Sequence, residues 1–339
     1  MVSTRVGAKP EVLAMIQSAR EMAERTLKHD DPELANILVR QGQILWRARN
    51  VADAESVLRD AVSRYERSSG PRATQIWYPL FTLAQIRASA GHFDESEQLV
   101  DRALTLLRAN VGDKHRHVAG LLLQKADVMQ RTERYENALR IYTLAEQALP
   151  DRADDERRTL YRDRGMLYFR MERRAQAEKE MHRAYDYARE TLGDGAAQVS
   201  ITAADWGRTL AALHRYEEAE AVQRKALARV SAVMGQDAYQ NCLVLDALAV
   251  TLFESRRYRD AADLQRRALA LTERRYARTH KVWAERAWLL ASSLARVNDE
   301  PSRTEALPLL EQSAEVLAAL DSHDARLKEM SAMRVKLLR

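Results

Sequence analysis

A single cysteine, Cys242, stands in the whole chain, which excludes an intramolecular disulfide and any cysteine-rich zinc site. Glycine and proline are scarce, at 11 and 7 of 339 residues, so few residues are present that break helices. No stretch approaches the roughly 18 uninterrupted apolar residues of a helical membrane span. The opening "MVSTRVGAKPEV" lacks the apolar core of a secretory signal, and the expectation is a soluble protein of the cytoplasm. Neither sign of charge dominates: 54 basic residues face 49 acidic ones, for a net charge of +5. Although the pI is near 9.3, so small an excess disfavours nucleic acid as the partner.

What remains is a mixture rich in Ala, Leu, Glu and Arg, which favours helix nearly everywhere. Charges alternate in sign along segments such as "ERRAQAEKEMHR", the pattern of a solvated helix face. Cys242 sits in the apolar run "NCLVLDALAV" and reads as an inert, partly buried thiol.

Two segments nearly repeat each other: "HRYEEAEAVQRKAL" at 214–227 and "RRYRDAADLQRRAL" at 256–269. Anchored on the alanine of "YEEA", equivalent small residues are Ala54, Ser96, Ala138, Ala177, Ala219, Ala261 and Ala306. Their spacings are 42, 42, 39, 42, 42 and 45 residues. Seven residues after each anchor comes another small residue: Ala61, Ala103, Ala145, Ala184, Ala226, Ala268 and Ser313. Twelve residues before it stands a third, Gly42, Ala84, Ala126, Gly165, Gly207 and Ala249; in the last unit Ala291 lies fifteen before. There the stretch "RVNDEPSRTE" is expected to enlarge the turn between two helices. Small residues at fixed helical spacing let two antiparallel backbones approach closely. Phe93, Tyr135, Tyr216 and Tyr258, three residues before their anchors, are placed to plug the helix–helix corner. Asp31 is expected to cap a helix whose first residue is Pro32. A hairpin of this kind cannot bury its apolar stripe alone, so neighbours must stack.

The register small–x11–small–x6–small resembles that of tetratricopeptide repeats, with Gly, Ala and aromatic residues at matching places. The period near 42 resembles the longer repeats of kinesin light chains, as do the junctions "TLKHDDPELA", "NVGDKHRHVA" and "RETLGDGAAQVS". The resemblance covers about residues 30–320. It implies an all-α fold, a right-handed α-solenoid of about seven helical hairpins with a capping helix at each end. The expected units are 30–70, 71–113, 114–152, 153–195, 196–237, 238–279 and 280–321. Residues 1–29 form an N-terminal half-repeat or cap, with Val12 and Ala19 at the two later small positions. Residues 322–339 form a C-terminal cap, with Leu327, Met330, Met333 and Leu337 on one stripe.

Catalytic signatures are missing from the sequence. His115 and His117 form an H-x-H pair, yet His115 and His280 both fall eleven residues before their unit's first small residue. A recurring inter-repeat position points to turn capping rather than to a metal. "LGDGAA" at 192–197 has no following Lys-Ser/Thr and reads as a linker. Asp154 and Asp155 read as a solvated turn and helix start. No catalytic residue, metal ligand or cofactor is expected, and the chain reads as a non-enzyme.

Binding is the function that remains. Offsets of −6, −3, +1, +4 and +5 from the first small position cluster on one side of an ideal helix, and the resemblance implies that this stripe faces a concave groove. It carries the aromatics Trp46, Tyr78, Phe81, Phe169, Phe253 and Trp288 and the arginines Arg131, Arg162, Arg170 and Arg208. It also includes Ile201, Ala204, Leu243, Asp246, Val250 and Glu285. Aromatics and arginine dominate interface hot spots, so the expectation is an interaction scaffold or adaptor for a peptide or protein segment. The arginines favour an acidic or phosphorylated one. Kinesin light chains carry an asparagine two residues before the first small position. The residues here are Arg40, Thr82, Gln124, Asp163, Asp205, Ala247 and Leu289, so kinesin-type cargo is not implied. Alternative readings are a ligand- or peptide-responsive regulatory module of a larger signalling system and, more weakly, a nucleic-acid-binding helical repeat.

Overall fold

The computed structural model describes residues 10–28, 30–151 and 154–338. Residues 1–9 of the expected N-terminal segment, and Arg152 and Ala153 in the shortened third junction, lie outside them. Among the described residues there are sixteen α-helices, a 3₁₀ turn at Thr74–Ile76 and no strand. By backbone contacts the chain separates into two compact units, one ending at Leu167 and the other beginning at Tyr168.

In the first unit, α1 (Pro10–Thr26) packs on α2 (Pro32–Arg47), which forms a hairpin with α3 (Val51–Ser69). Two more hairpins follow, α4 (Trp77–Ser89) with α5 (Phe93–Val111) and α6 (Arg116–Arg131) with α7 (Tyr135–Ala148). Helix α8 (Asp154–Arg170) spans the boundary between the units. In the second unit α9 (Arg174–Leu192) packs on α10 (Ala197–Ala212), itself paired with α11 (Tyr216–Met234). Then come the hairpins of α12 (Asn241–Glu254) with α13 (Tyr258–Glu273), and α14 (Lys281–Val297) with α15 (Glu300–Leu320). Helix α16 (Arg326–Leu337) packs on α15 through Met330, which is buried.

The small residues sit where the backbones nearly meet. All seven anchors are 0% exposed, and the small residues seven positions later are at 0–1%. Gly42, Gly165 and Gly207 are buried too. At Gly42 an added Cβ would lie 2.5 Å from Leu58 Cγ, and at Gly207 2.5 Å from Gln223 Cγ. Where the small residue is serine, its hydroxyl is satisfied across the contact: Ser96 Oγ donates to the Ala84 carbonyl at 2.8 Å. Ser313 Oγ does the same to the Ala284 carbonyl at 2.6 Å. Tight approach and polar satisfaction are therefore met together.

Each hairpin turns in the same way. One left-handed residue follows the first helix: Arg49, Gly91, Glu133, Glu172, His214, Arg256 or Asn298, with φ between 56° and 82°. In six of them the next N–H closes onto the carbonyl five residues back, as in Arg134 to Met129 at 2.8 Å and Arg257 to Leu252 at 2.8 Å. This is the Schellman closure of a helix C-terminus. Phe93, Tyr135, Tyr216 and Tyr258 each open the second helix, half-buried in the corner.

Helix starts follow the capping rules. Asp31 Oδ1 accepts from Glu33 N at 2.9 Å, ahead of Pro32. His115 Nδ1 accepts from His117 N at 3.2 Å, and His280 Nδ1 from Val282 N at 3.1 Å. The recurring histidine is thus a cap.

One expectation fails in the last hairpin. "RVNDEPSRTE" does not enlarge the turn, since α14 ends at Val297 and α15 begins at Glu300. The extra residues extend α15 by about a turn toward its N-terminus. Asn298 takes the left-handed position, Asp299 Oδ1 caps Ser302 N at 2.8 Å, and Pro301 occupies the first turn, where its missing N–H costs nothing.

Candidate functional site: a groove on the first helices of the second unit

Successive first helices α10, α12 and α14 stand side by side in the second unit and leave a groove of about 550 Å³ between their exposed faces. Ile201, Ala204 and Arg208 line it from α10, Leu243, Asp246 and Val250 from α12, and Glu285 from α14. All seven belong to the stripe read from the sequence. Asp205, Tyr239, Val282, Arg286 and Leu289 also line it, and sequence reasoning missed them as groove residues.

Apolar side chains in this groove are left wet. Leu243 is 55% exposed and Leu289 36%, with Ile201, Val250 and Val282 half-buried beside them. Charged groups near them are tied down. Arg286 is buried and grips the Asp246 carboxylate on α12 through Nε at 3.1 and 3.2 Å and Nη2 at 2.7 Å. Its Nη1 donates to Thr272 Oγ1 at 3.0 Å and Tyr239 Oη at 3.2 Å. Burial opposes the guanidinium charge, but the bonds to Asp246 outweigh it and hold Arg286 firmly protonated. Glu285 is held by Arg326 at 3.3 Å. Arg208 is half exposed, and its pair with Asp205 is long, at 3.9 Å. Burial holds the Glu254 carboxyl above its usual range, with His214, Arg174 and Arg208 acting in the opposite sense.

The other candidates fall in several environments. In the first unit Tyr78 is 39% exposed with its ring 5.1 Å from that of Trp77; Trp46 and Phe81 are half-buried. Arg131 pairs with Asp127 at 2.9 Å and donates to the Ala88 carbonyl at 3.4 Å. Arg162 pairs with Asp163 at 3.0 Å. Burial lifts the Asp163 carboxyl, against the pull of Arg162. In the second unit Arg170 is exposed and Phe169 half-buried, while the Phe253 ring meets Tyr258 edge-on at 5.1 Å. Trp288 is a core residue. It is 7% exposed and packs among Trp283, Leu290 and Leu294, and its neighbour Leu289 takes the groove-facing place. The groove on α10, α12 and α14 thus offers apolar contact area and a loosely held cation, Arg208.

Among the described residues no three His, Cys, Asp or Glu side chains converge as a metal site, and no helix is long and apolar enough to cross a membrane. The Cys242 thiol is buried and donates to the Ala268 carbonyl at 3.6 Å; burial pushes its pKa up.

Residues 156–228 and 199–274 match the tetratricopeptide repeat family. Residues 156–274 carry tetratricopeptide repeats. Solved structures agree on the fold. A tetratricopeptide repeat protein from Parabacteroides merdae is 15% identical, with a TM-score of 0.58 over 90% of this chain and 99% of its own. The apo quorum sensor NprR of B. thuringiensis is 13% identical, with a TM-score of 0.59 over 97% of this chain and 83% of that one. BtubC (BKLC) from P. vanneervenii is 17% identical, with a TM-score of 0.56 over 70% and 92% of the two chains. No curated protein matches the sequence. The fold is therefore an all-α repeat solenoid. Tetratricopeptide repeats in general act as protein–protein interaction scaffolds, and α10, α12 and α14 are the first helices of three consecutive hairpins.

Proposed function

We propose that this chain is a non-enzymatic scaffold of the cytoplasm that binds a peptide or protein segment in the groove on α10, α12 and α14. The observation that carries the reading is the pair of wet leucines, Leu243 and Leu289, on adjacent first helices. Fully burying an exposed leucine is worth roughly 1.5–3 kcal/mol; at 55% and 36% exposure these two together supply about that much, and the charged surround sets orientation. An acidic or phosphorylated residue on the segment would engage Arg208, whose own carboxylate partner lies 3.9 Å away. Arg131 and Arg162 already hold carboxylates at 2.9 and 3.0 Å and are less available.

Panning a displayed random-peptide library against the purified chain tests this. Enriched peptides should lose at least about tenfold in affinity, or about 1.4 kcal/mol, on Leu243→Glu with Leu289→Glu, at unchanged helix content. Equal binding to both proteins would remove the groove from consideration. Arg208→Glu should weaken only those peptides that carry acid. The second reading, a peptide-responsive regulatory module, uses the same groove. Scattering with and without a selected peptide separates the two, since a responsive array changes its curve and a passive scaffold does not.

A further inference from the structure

Helix α1 carries a face that its own repeat register says should be covered. Val12 and Ala19 occupy places whose counterparts in the seven hairpins are at most 1% exposed. Yet Val12 is 37% exposed, and beside it Met15 and Met22 are 68% and 66% exposed. Helix α2 covers only the adjoining flank of α1, where Ala23 is buried. With the half-buried Ala19 between them, the open residues 12, 15 and 22 form a row spaced three, four and three apart, the interval of a seam between two packed helices.

We infer that α1 is a self-association helix, pairing antiparallel with α1 of a second copy. The seam complements itself in that direction. Val12 faces Met22 of the other copy, and Met15 faces Ala19, so each layer sets a longer side chain against a shorter one. The same register brings Glu11 opposite Arg25 at both ends of the seam. Both residues are exposed, and Arg25 holds its own-chain partner Glu21 only at 3.9 Å. In a parallel pair Glu11 would instead lie beside Ile16 of the other copy, and the Glu11–Arg25 pairing would be lost. The four seam residues span two heptads, short of the ~1,200–2,000 Å² of a standard stable interface, so the dimer is weak and forms as concentration rises.

Sedimentation of the full chain from about 5 to about 200 μM reads this directly. The mass should climb from 38.7 kDa toward twice that value. Met15→Glu with Met22→Glu should stay at the monomer mass throughout, with unchanged helix content. Arg25→Glu should weaken association about tenfold, and adding Glu11→Arg should restore it. A wild-type chain that stays monomeric over the whole range overturns the proposal. So does a dimer that survives the two methionine substitutions. Failure of the charge swap to restore association overturns the antiparallel register.

Discussion

A methyl group added at Gly42 would fall 2.5 Å from Leu58 Cγ and 2.8 Å from Leu58 Cδ2. Leu58 is fully buried, so it has little room to withdraw, and α2 and α3 would have to part. Alanine is the better helix former by ~1 kcal/mol, but overpacking a core costs ~1–3 kcal/mol. Gly42→Ala is therefore expected to lose up to about 2 kcal/mol in urea unfolding. If the contact with Leu58 is the cause, Gly42→Ala with Leu58→Ala should cost less than the sum of the two single changes. Additive losses would place the penalty elsewhere. Gly207, at the same position of its own repeat, meets the same limit, with an added Cβ 2.5 Å from Gln223 Cγ. An alanine there marks a hairpin whose facing side chain leaves space for one carbon.

The hairpin turn is the element that recurs with least variation in backbone and most in residue type. Its left-handed position holds glycine once and asparagine once, and elsewhere Arg49, Glu133, Glu172, His214 and Arg256. A side chain with a Cβ costs ~1–2 kcal/mol in that conformation, partly offset because glycine loses more chain entropy on folding. Glu133→Gly and Arg256→Gly should each raise stability by about 0.5–1 kcal/mol, measured as a higher urea midpoint at constant slope. A lower midpoint would mean that these side chains hold contacts beyond the turn. Most of this architecture was legible in the sequence, because trimmed positions, caps and corner aromatics are local devices with fixed spacing. Asp31, His115 and His280 cap where their spacing put them. What escaped depends on small rotations and length changes inside helices. A three-residue insertion reads as a loop, yet Asp299 and Pro301 turn it into an added helical turn on α15. Periodicity marks the apolar side of α14 without deciding which of two neighbours enters the core. Trp288 goes in, and Leu289 stays out. The Arg286 clamp spans 40 residues to Asp246, a pairing that no local pattern announces.

At the scale of the chain, substantial contacts among the described residues run between helices that are adjacent in sequence or next but one. Stability in such an array is a sum of repeats and nearest-neighbour interfaces, so damage should stay near its source. The Arg286–Asp246 pair offers a test, because it joins two consecutive repeats of the second unit through α12 and α14. Arg286→Met keeps most of the side-chain volume and removes the charge. It leaves the Asp246 carboxylate, 28% exposed, without its clamp. Breaking one side of a buried pair costs ~3–5 kcal/mol, and the residual exposure of Asp246 brings the expected loss to about 2–4 kcal/mol. Adding Asp246→Leu should recover much of it, since replacing both partners by apolar groups is near neutral. Hydrogen exchange read helix by helix locates the effect. Amides of α12 to α15 should exchange faster in Arg286→Met, while those of α2 to α7 keep their wild-type rates. A uniform rise along the whole chain would show that all the repeats unfold as one cooperative block, and the nearest-neighbour picture would fail with it.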